Sequence, residues 1–152
     1  MRGWLLDTNV VAELVAARAD ARVLAWAGAQ PRATVFVSVL TLGEYEQGIA
    51  RLDPADPTRH RYEAVLTNVE RLFAGRILPV DAPAARRWGR LSGARWRLRR
   101  QRPPAADLML AAQAIEAGLY LATRDTRDVQ GLGATVFNPW SDDPAAFPMS
   151  AR

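Results

Sequence analysis

Four carboxylates in this sequence stand where strand-like runs give way to helical ones. Asp7 closes the apolar run Trp4-Leu5-Leu6, and Glu44 lies one to two turns into a helical stretch. Asp107 follows the Pro103-Pro104 break, and Asp125 follows the apolar run Leu119–Thr123. Each has a local explanation: Asp7 and Asp107 as helix caps, Thr41-Leu42-Gly43-Glu44 as a capping box, Asp125 as a turn residue. As a set they admit another. Open α/β sheets bind ligands beyond the carboxyl ends of their strands, where strand order reverses. Acids collected there repel one another unless a cation neutralises them. Ligands that are all oxygen suit Mg²⁺ or Mn²⁺, which keep positions for a phosphate oxygen and an attacking water. The chemistry indicated is attack of a metal-held water at a phosphate group.

Neighbouring acids serve as controls. Glu46 is about 200° around the helix from Glu44, so the two cannot face one pocket. Glu13, six residues after Asp7, reads as solvent-facing rather than as part of the pocket rim. Asp128 is the rival of Asp125 for the fourth position. Nearness to the strand end favours Asp125; a turn or helical start at 124–128 would instead let Asp128 swing back and leave Asp125 as its cap.

Short apolar strands alternating with amphipathic stretches must position these groups, a pattern that predicts a parallel sheet with helices on both faces. Strands are expected at 3–6, 34–37, 76–80, 119–123 and 134–137. Helices are expected from Thr8–Asn9, from an Asp20 cap, over 39–51, over 58–74 with Gly75 at its end, from Asp81, and from Ala105 to Gly118. Residues 1–140 form one domain in this reading, and 141–152 a polar, poorly ordered tail.

Composition removes competing chemistries. The chain has 152 residues, no cysteine, one histidine (His60) and twenty arginines but no lysine. Disulfides and a Cys nucleophile have no cysteine to build them, and with His60 alone zinc clusters and a Ser-His-Asp site are poorly supplied. A Walker A loop, a Schiff-base enzyme, a phosphoaspartyl receiver and a haloacid-dehalogenase phosphatase all need a lysine. No uncharged stretch approaches the ~18 residues of a membrane span, and Asp7 interrupts any secretory core, so the expected location is cytoplasmic.

Eight arginines fall between positions 86 and 102: Arg86, Arg87, Arg90, Arg95, Arg97, Arg99, Arg100 and Arg102. With no acid between Asp81 and Asp107 the segment carries +8, and the rest of the chain sums to −4. A basic helix is commonly just a solvated face. Here the density, and the approach to Asp107, make Arg95, Arg97, Arg99 and Arg100 candidate phosphate contacts, with Trp88 and Trp96 able to stack bases or to be buried.

Leu5-Leu6-Asp7-Thr8-Asn9-Val10-Val11, Ser38-Val39-Leu40-Thr41-Leu42-Gly43-Glu44 with Gly48-Ile49, Pro104-Ala105-Ala106-Asp107, Ala122-Thr123-Arg124-Asp125 and Val136-Phe137-Asn138-Pro139-Trp140 together resemble PIN-domain ribonucleases, specifically the VapC and FitB type of toxin. The likeness runs in order from about residue 3 to 140. It implies a PIN-like (Rossmann-like) α/β sheet in a single domain and Mg²⁺- or Mn²⁺-dependent cleavage of RNA. A homodimer and a VapB-like antitoxin that blocks the site, in some assemblies on operator DNA, are also implied. By motif, Asp7, Glu44, Asp107 and Asp125 become the catalytic and metal-binding quartet, with Thr8, Asn9, Thr123 and Asp128 in support. FitB-like members often carry Asn at the place of Asp125 and an Asp at that of Asp128, so the fourth role stays open. Two other readings stand beside it: a FitB-like partner subunit that mainly helps its antitoxin bind operator DNA, and a flap-type DNA nuclease, for whose helical arch the chain has little room.

Overall fold

β1 (Trp4–Leu6) is buried on both faces, with its three side chains 0–2% exposed, as expected of the central strand of a parallel sheet. A computed structural model describes residues 1–99, 104–129 and 131–150, apart from the side chains of Arg99 and Asp128. β2 (Val35–Ser38) and β4 (Tyr120–Ala122) flank β1, and β3 (Ile77–Leu78) and β5 (Val136–Phe137) form the edges, giving the order β3-β2-β1-β4-β5 with every pair parallel. Strand order reverses at β1, so the crevice beyond the ends of β1 and β4 is the place for a site.

Alternation along the strands sorts the core into two layers. Trp4, Leu6, Val37, Tyr120, Ala122 and Phe137 face α1 (Thr8–Leu14), α2 (Ala21–Ala29), α3 (Val39–Arg51) and α4 (Thr58–Leu72). Leu5, Phe36, Leu121 and Val136 face α5 (Ala82–Arg99), α6 (Ala105–Ala117) and α7 (Thr126–Val129). Helix starts and stops follow local chemistry. Asp20 accepts the N–H groups of Arg22 and Val23 to open α2, Ser38 accepts that of Leu40 to open α3, and Gly118 ends α6 at φ +62°. At Gly3 a side chain is impossible, since a Cβ would lie 2.1 Å from the carbonyl oxygen of Thr34.

Buried Gln113 (2% exposed) carries α6 into the sheet without an orphaned amide. It accepts from Ser38 Oγ at 2.7 Å and donates to the carbonyls of Leu78 and Pro79 at 3.2 and 2.9 Å.

Three expectations are corrected. The Thr41–Glu44 capping box does not exist: Ser38 is the cap, and Thr41 is fully buried within α3. Glu13 is not simply solvated, because its Oε1 accepts the Asp20 N–H at 2.6 Å and ties the turn between α1 and α2. The expected loose tail is held as far as Ser150. Asp143 caps a 3-10 turn at Pro144–Ala146, and the Phe147 ring packs 4.9 Å from Phe137 and 5.3 Å from Tyr120. Tyr120 Oη donates to Pro148 O, and the Ser150 N–H donates to Met1 O. One aromatic side chain anchors a segment whose average composition is polar.

Candidate metal centre

The Asp7 N–H donates to the Ala122 carbonyl at 2.9 Å, which fixes the end of β1 beside the end of β4. Its carboxylate performs two tasks. Oδ1 accepts the Thr8 N–H at 2.7 Å and caps α1, while Oδ2 accepts from Thr123 Oγ1 at 2.6 Å and from Asn9 Nδ2 at 2.8 Å. Thr123 is buried, and its oxygen also accepts the Asp125 N–H at 3.0 Å. The Asn9 amide continues to Thr123 Oγ1 at 3.1 Å and to Asp125 Oδ2 at 3.2 Å, and its own oxygen accepts the Arg124 N–H at 3.3 Å. Thr8 Oγ1 donates to Thr41 Oγ1 at 3.2 Å, which brings α3 to the same corner.

Burial pushes the Asp7 carboxyl above the usual aspartate range. The hydrogen bonds from Thr123 and Thr8 oppose that shift, and the charges of Glu44 and Asp125 add to it. Among the described residues the charged groups acting on Asp7 are therefore all acids. A half-buried carboxylate with acid neighbours and hard oxygen donors around it fits a divalent cation of the Mg²⁺ or Mn²⁺ kind.

The quartet is only partly assembled. Asp7 and Asp125 are joined through Asn9, and Glu44 acts on Asp7 by its charge from the exposed face of α3. Asp107 is half-buried in the first turn of α6, three positions after a Pro104 cap that makes no side-chain bond, so it is not the cap itself. Among the described residues no three Asp, Glu, His or Cys side chains close on one point. The Asp128 and Arg99 side chains and all of Arg100 and Arg102 lie outside the described residues. The backbone from Thr126 is nonetheless helical, the geometry that keeps Asp128 in contention.

On α5, Arg86, Arg90 and Arg97 are exposed and Arg95 is half-buried. Arg87 is instead committed to an ion pair with Glu116 at 2.6 Å. Trp88 packs into the core layer under α5, whereas Trp96 is 44% exposed. Glu46 is exposed, and the His60 side chain is 90% exposed beside Glu63, away from the centre.

Two features escaped the sequence reading. Asn9 is the bridge between two carboxylates rather than an accessory. Arg124, whose N–H holds that bridge, lays its guanidinium over the Trp140 ring at 5.2 Å. The Asn138-Pro139-Trp140 string was the available signal for the second, but nothing local names its partner.

Parallel order and a cluster of oxygen donors at the strand crossover define an open α/β fold with its polar site beyond the strand ends. Residues 4–130 match the PIN domain, and the chain belongs to the PIN-domain family, among its members of the VapC and FitB type. It is 37% identical over 137 residues to VapC ribonuclease Y4jK of Sinorhizobium fredii, covering 90% of this chain and 96% of that protein. It is 35% identical over 138 residues to toxin FitB of Neisseria gonorrhoeae, covering 91% and 99%. The structure of FitAB bound to an IR36 DNA fragment superposes with a TM-score of 0.79 at 33% identity, covering 92% of this chain and 97% of that one. Among the described residues no helix is long and apolar enough to cross a membrane.

Proposed function

We propose that this chain is the toxin of a type II toxin–antitoxin pair and cleaves RNA phosphodiester bonds with a divalent cation, Mg²⁺ or Mn²⁺. The observation that carries the proposal is the Asp7 carboxylate, half-buried at the strand crossover and linked through Asn9 and Thr123 to Asp125, with the acidic charges of Glu44 and Asp125 acting on it among the described residues. The relatives named as a VapC ribonuclease and a FitB toxin support the same reading.

Asp7, Glu44, Asp107 and Asp125 would hold the cation. Such a cation, when bound, supplies charge stabilisation at the phosphoryl oxygens and lowers the pKa of water. The chain's own part is orientation. Thr8 and Thr123 fix the two oxygens of Asp7, α1 starts from that carboxylate, and the exposed arginines of α5 supply positive charge for the RNA backbone. The partner in this reading is a VapB-like antitoxin that covers the site, and the active unit is a homodimer.

The test is incubation of the purified chain with RNA and Mn²⁺ or Mg²⁺. Cleavage that disappears with EDTA and with Asp7→Asn is expected. Undiminished cleavage by a folded Asp7→Asn protein refutes the centre. No cleavage by the unsubstituted chain, together with antitoxin-dependent tightening on operator DNA, would favour the partner-subunit reading instead.

A further inference from the structure

The side-chain amide of Asn9 occupies the space between the two carboxylates that any shared cation must also approach. Its two hydrogens face three oxygens: Asp7 Oδ2 at 2.8 Å, Thr123 Oγ1 at 3.1 Å and Asp125 Oδ2 at 3.2 Å. Two hydrogens cannot serve three acceptors at full strength, so the amide is shared among them. Its orientation is set from the other side, where Oδ1 accepts the Arg124 N–H, leaving the positive end of the amide dipole turned toward the acids. Asp7 Oδ2 already takes two short donors, and a cation bound there must compete with at least one of them.

We infer that Asn9 is an internal counter-charge: its amide holds Asp7 and Asp125 together without metal and is displaced when the cation binds. The inference rests on the proposed reading of this pocket as a cation site. It assigns Asn9 a positioning role with opposite effects on two measurable quantities. Without metal, the amide relieves repulsion between two carboxylates and so stabilises the fold. Toward metal, the same bonds are a cost, because they must be given up before the cation gains its ligands. A residue with a purely structural role, or one that ligates the cation through its oxygen, would help both quantities.

The experiment is calorimetric titration of Mn²⁺ into the full chain and its Asn9→Ala and Asn9→Ser variants, with thermal melts in EDTA and in saturating Mn²⁺. In EDTA both variants should melt below the unsubstituted chain. Both should bind Mn²⁺ about tenfold more tightly, the factor that one hydrogen bond to a charged group is worth. The rise in melting temperature on adding Mn²⁺ should be correspondingly larger in the variants. Should Asn9→Ala fail to fold, Asn9→Ser, which retains a small polar group, decides alone. Equal or weaker Mn²⁺ binding by the variants overturns this inference while leaving the cation reading intact. Absence of Mn²⁺ binding by the unsubstituted chain removes the cation reading, and this inference with it.

Discussion

Thr123 Oγ1 donates to Asp7 Oδ2 across 2.6 Å, joining two residues 116 positions apart at the mouths of adjacent strands. The hydroxyl is buried and points at the carboxylate with the greatest burial cost among the acids whose shifts are resolved. Replacing it by the near-isosteric Val keeps the shape but removes this donor, together with the oxygen that accepts from the Asp125 N–H and from Asn9 Nδ2. Thr123→Val should cost about 1.5 kcal/mol or more at neutral pH, the worth of a hydrogen bond to a charged group. That cost should shrink in acid, where Asp7 protonates. Urea denaturation at two pH values measures both; a pH-independent loss would show that the bond does not act on the ionised carboxylate.

The raised pKa of Asp7 has a definite sign. In the folded chain the carboxyl holds its proton more tightly than in the unfolded chain, where it titrates near 3.8. Metal-free stability is therefore free of this penalty below that value and declines as pH rises through the raised folded pKa. Burial is the main cause, with Glu44 and Asp125 adding to it. Unfolding in EDTA across this window should show the decline, and Asp7→Asn should flatten it. A profile unaltered by Asp7→Asn would mean that another group carries the slope.

The acids should not contribute equally to cation binding. Asp107→Asn and Asp125→Asn should each lower Mn²⁺ affinity by more than the roughly 10–100-fold that loss of an outer partner costs. Asp128→Asn should lower it less than Asp125→Asn, because Asp125 is the acid joined to Asp7 through Asn9. Mn²⁺ titration of the separate variants ranks them, and a larger loss from Asp128→Asn reverses the assignment.

The arginines of α5 divide by partner. Arg90 and Arg97 are exposed, whereas Arg87 is held by Glu116. Alanine at Arg90 or Arg97 should weaken RNA binding and reduce its salt slope by about 0.7 log unit per lost phosphate contact. Alanine at Arg87 should leave the slope alone and lower stability slightly. Filter binding over a salt series separates the two classes, and identical slopes for all three would refute the division.

Tyr45 is 7% exposed, and its hydroxyl has no hydrogen-bond partner among the described residues. A buried unmatched hydroxyl costs about 1–3 kcal/mol. Tyr45→Phe should therefore raise stability by about 1 kcal/mol, seen as a higher urea midpoint with unchanged slope. A lowered midpoint would show that the hydroxyl is satisfied in solution.

What could be read in advance was local. The bounds of α3 at 39 and 51, the Asp20 cap and the left-handed Gly118 all follow from signals within a few residues of where they act. The same reasoning failed at Thr41, where a capping-box spelling lay inside a helix already started by Ser38. The place of Asp7 at the end of β1 was legible because it closes an apolar run. The bridging role of Asn9 was not, because its second carboxylate arrives from the far end of the chain. Phe147 likewise finds its seat on Trp4, Tyr120 and Phe137, residues distant in sequence, so nothing local could mark it as an anchor of the 141–152 segment.

The central position of β1 has a consequence for when the candidate site can come together during synthesis. Asp7 is translated before Thr123 and Asp125, which emerge more than a hundred codons later. At roughly 5–20 residues per second, a ribosome needs about 6 to 20 seconds to cover the distance. Until β4 docks beside β1, the Asp7 side chain has neither Thr123 nor Asp125 near it, and the nascent chain carries no assembled centre. Strand order alone thus delays assembly of the candidate site until the segment carrying β4 and Asp125 has been made and has docked.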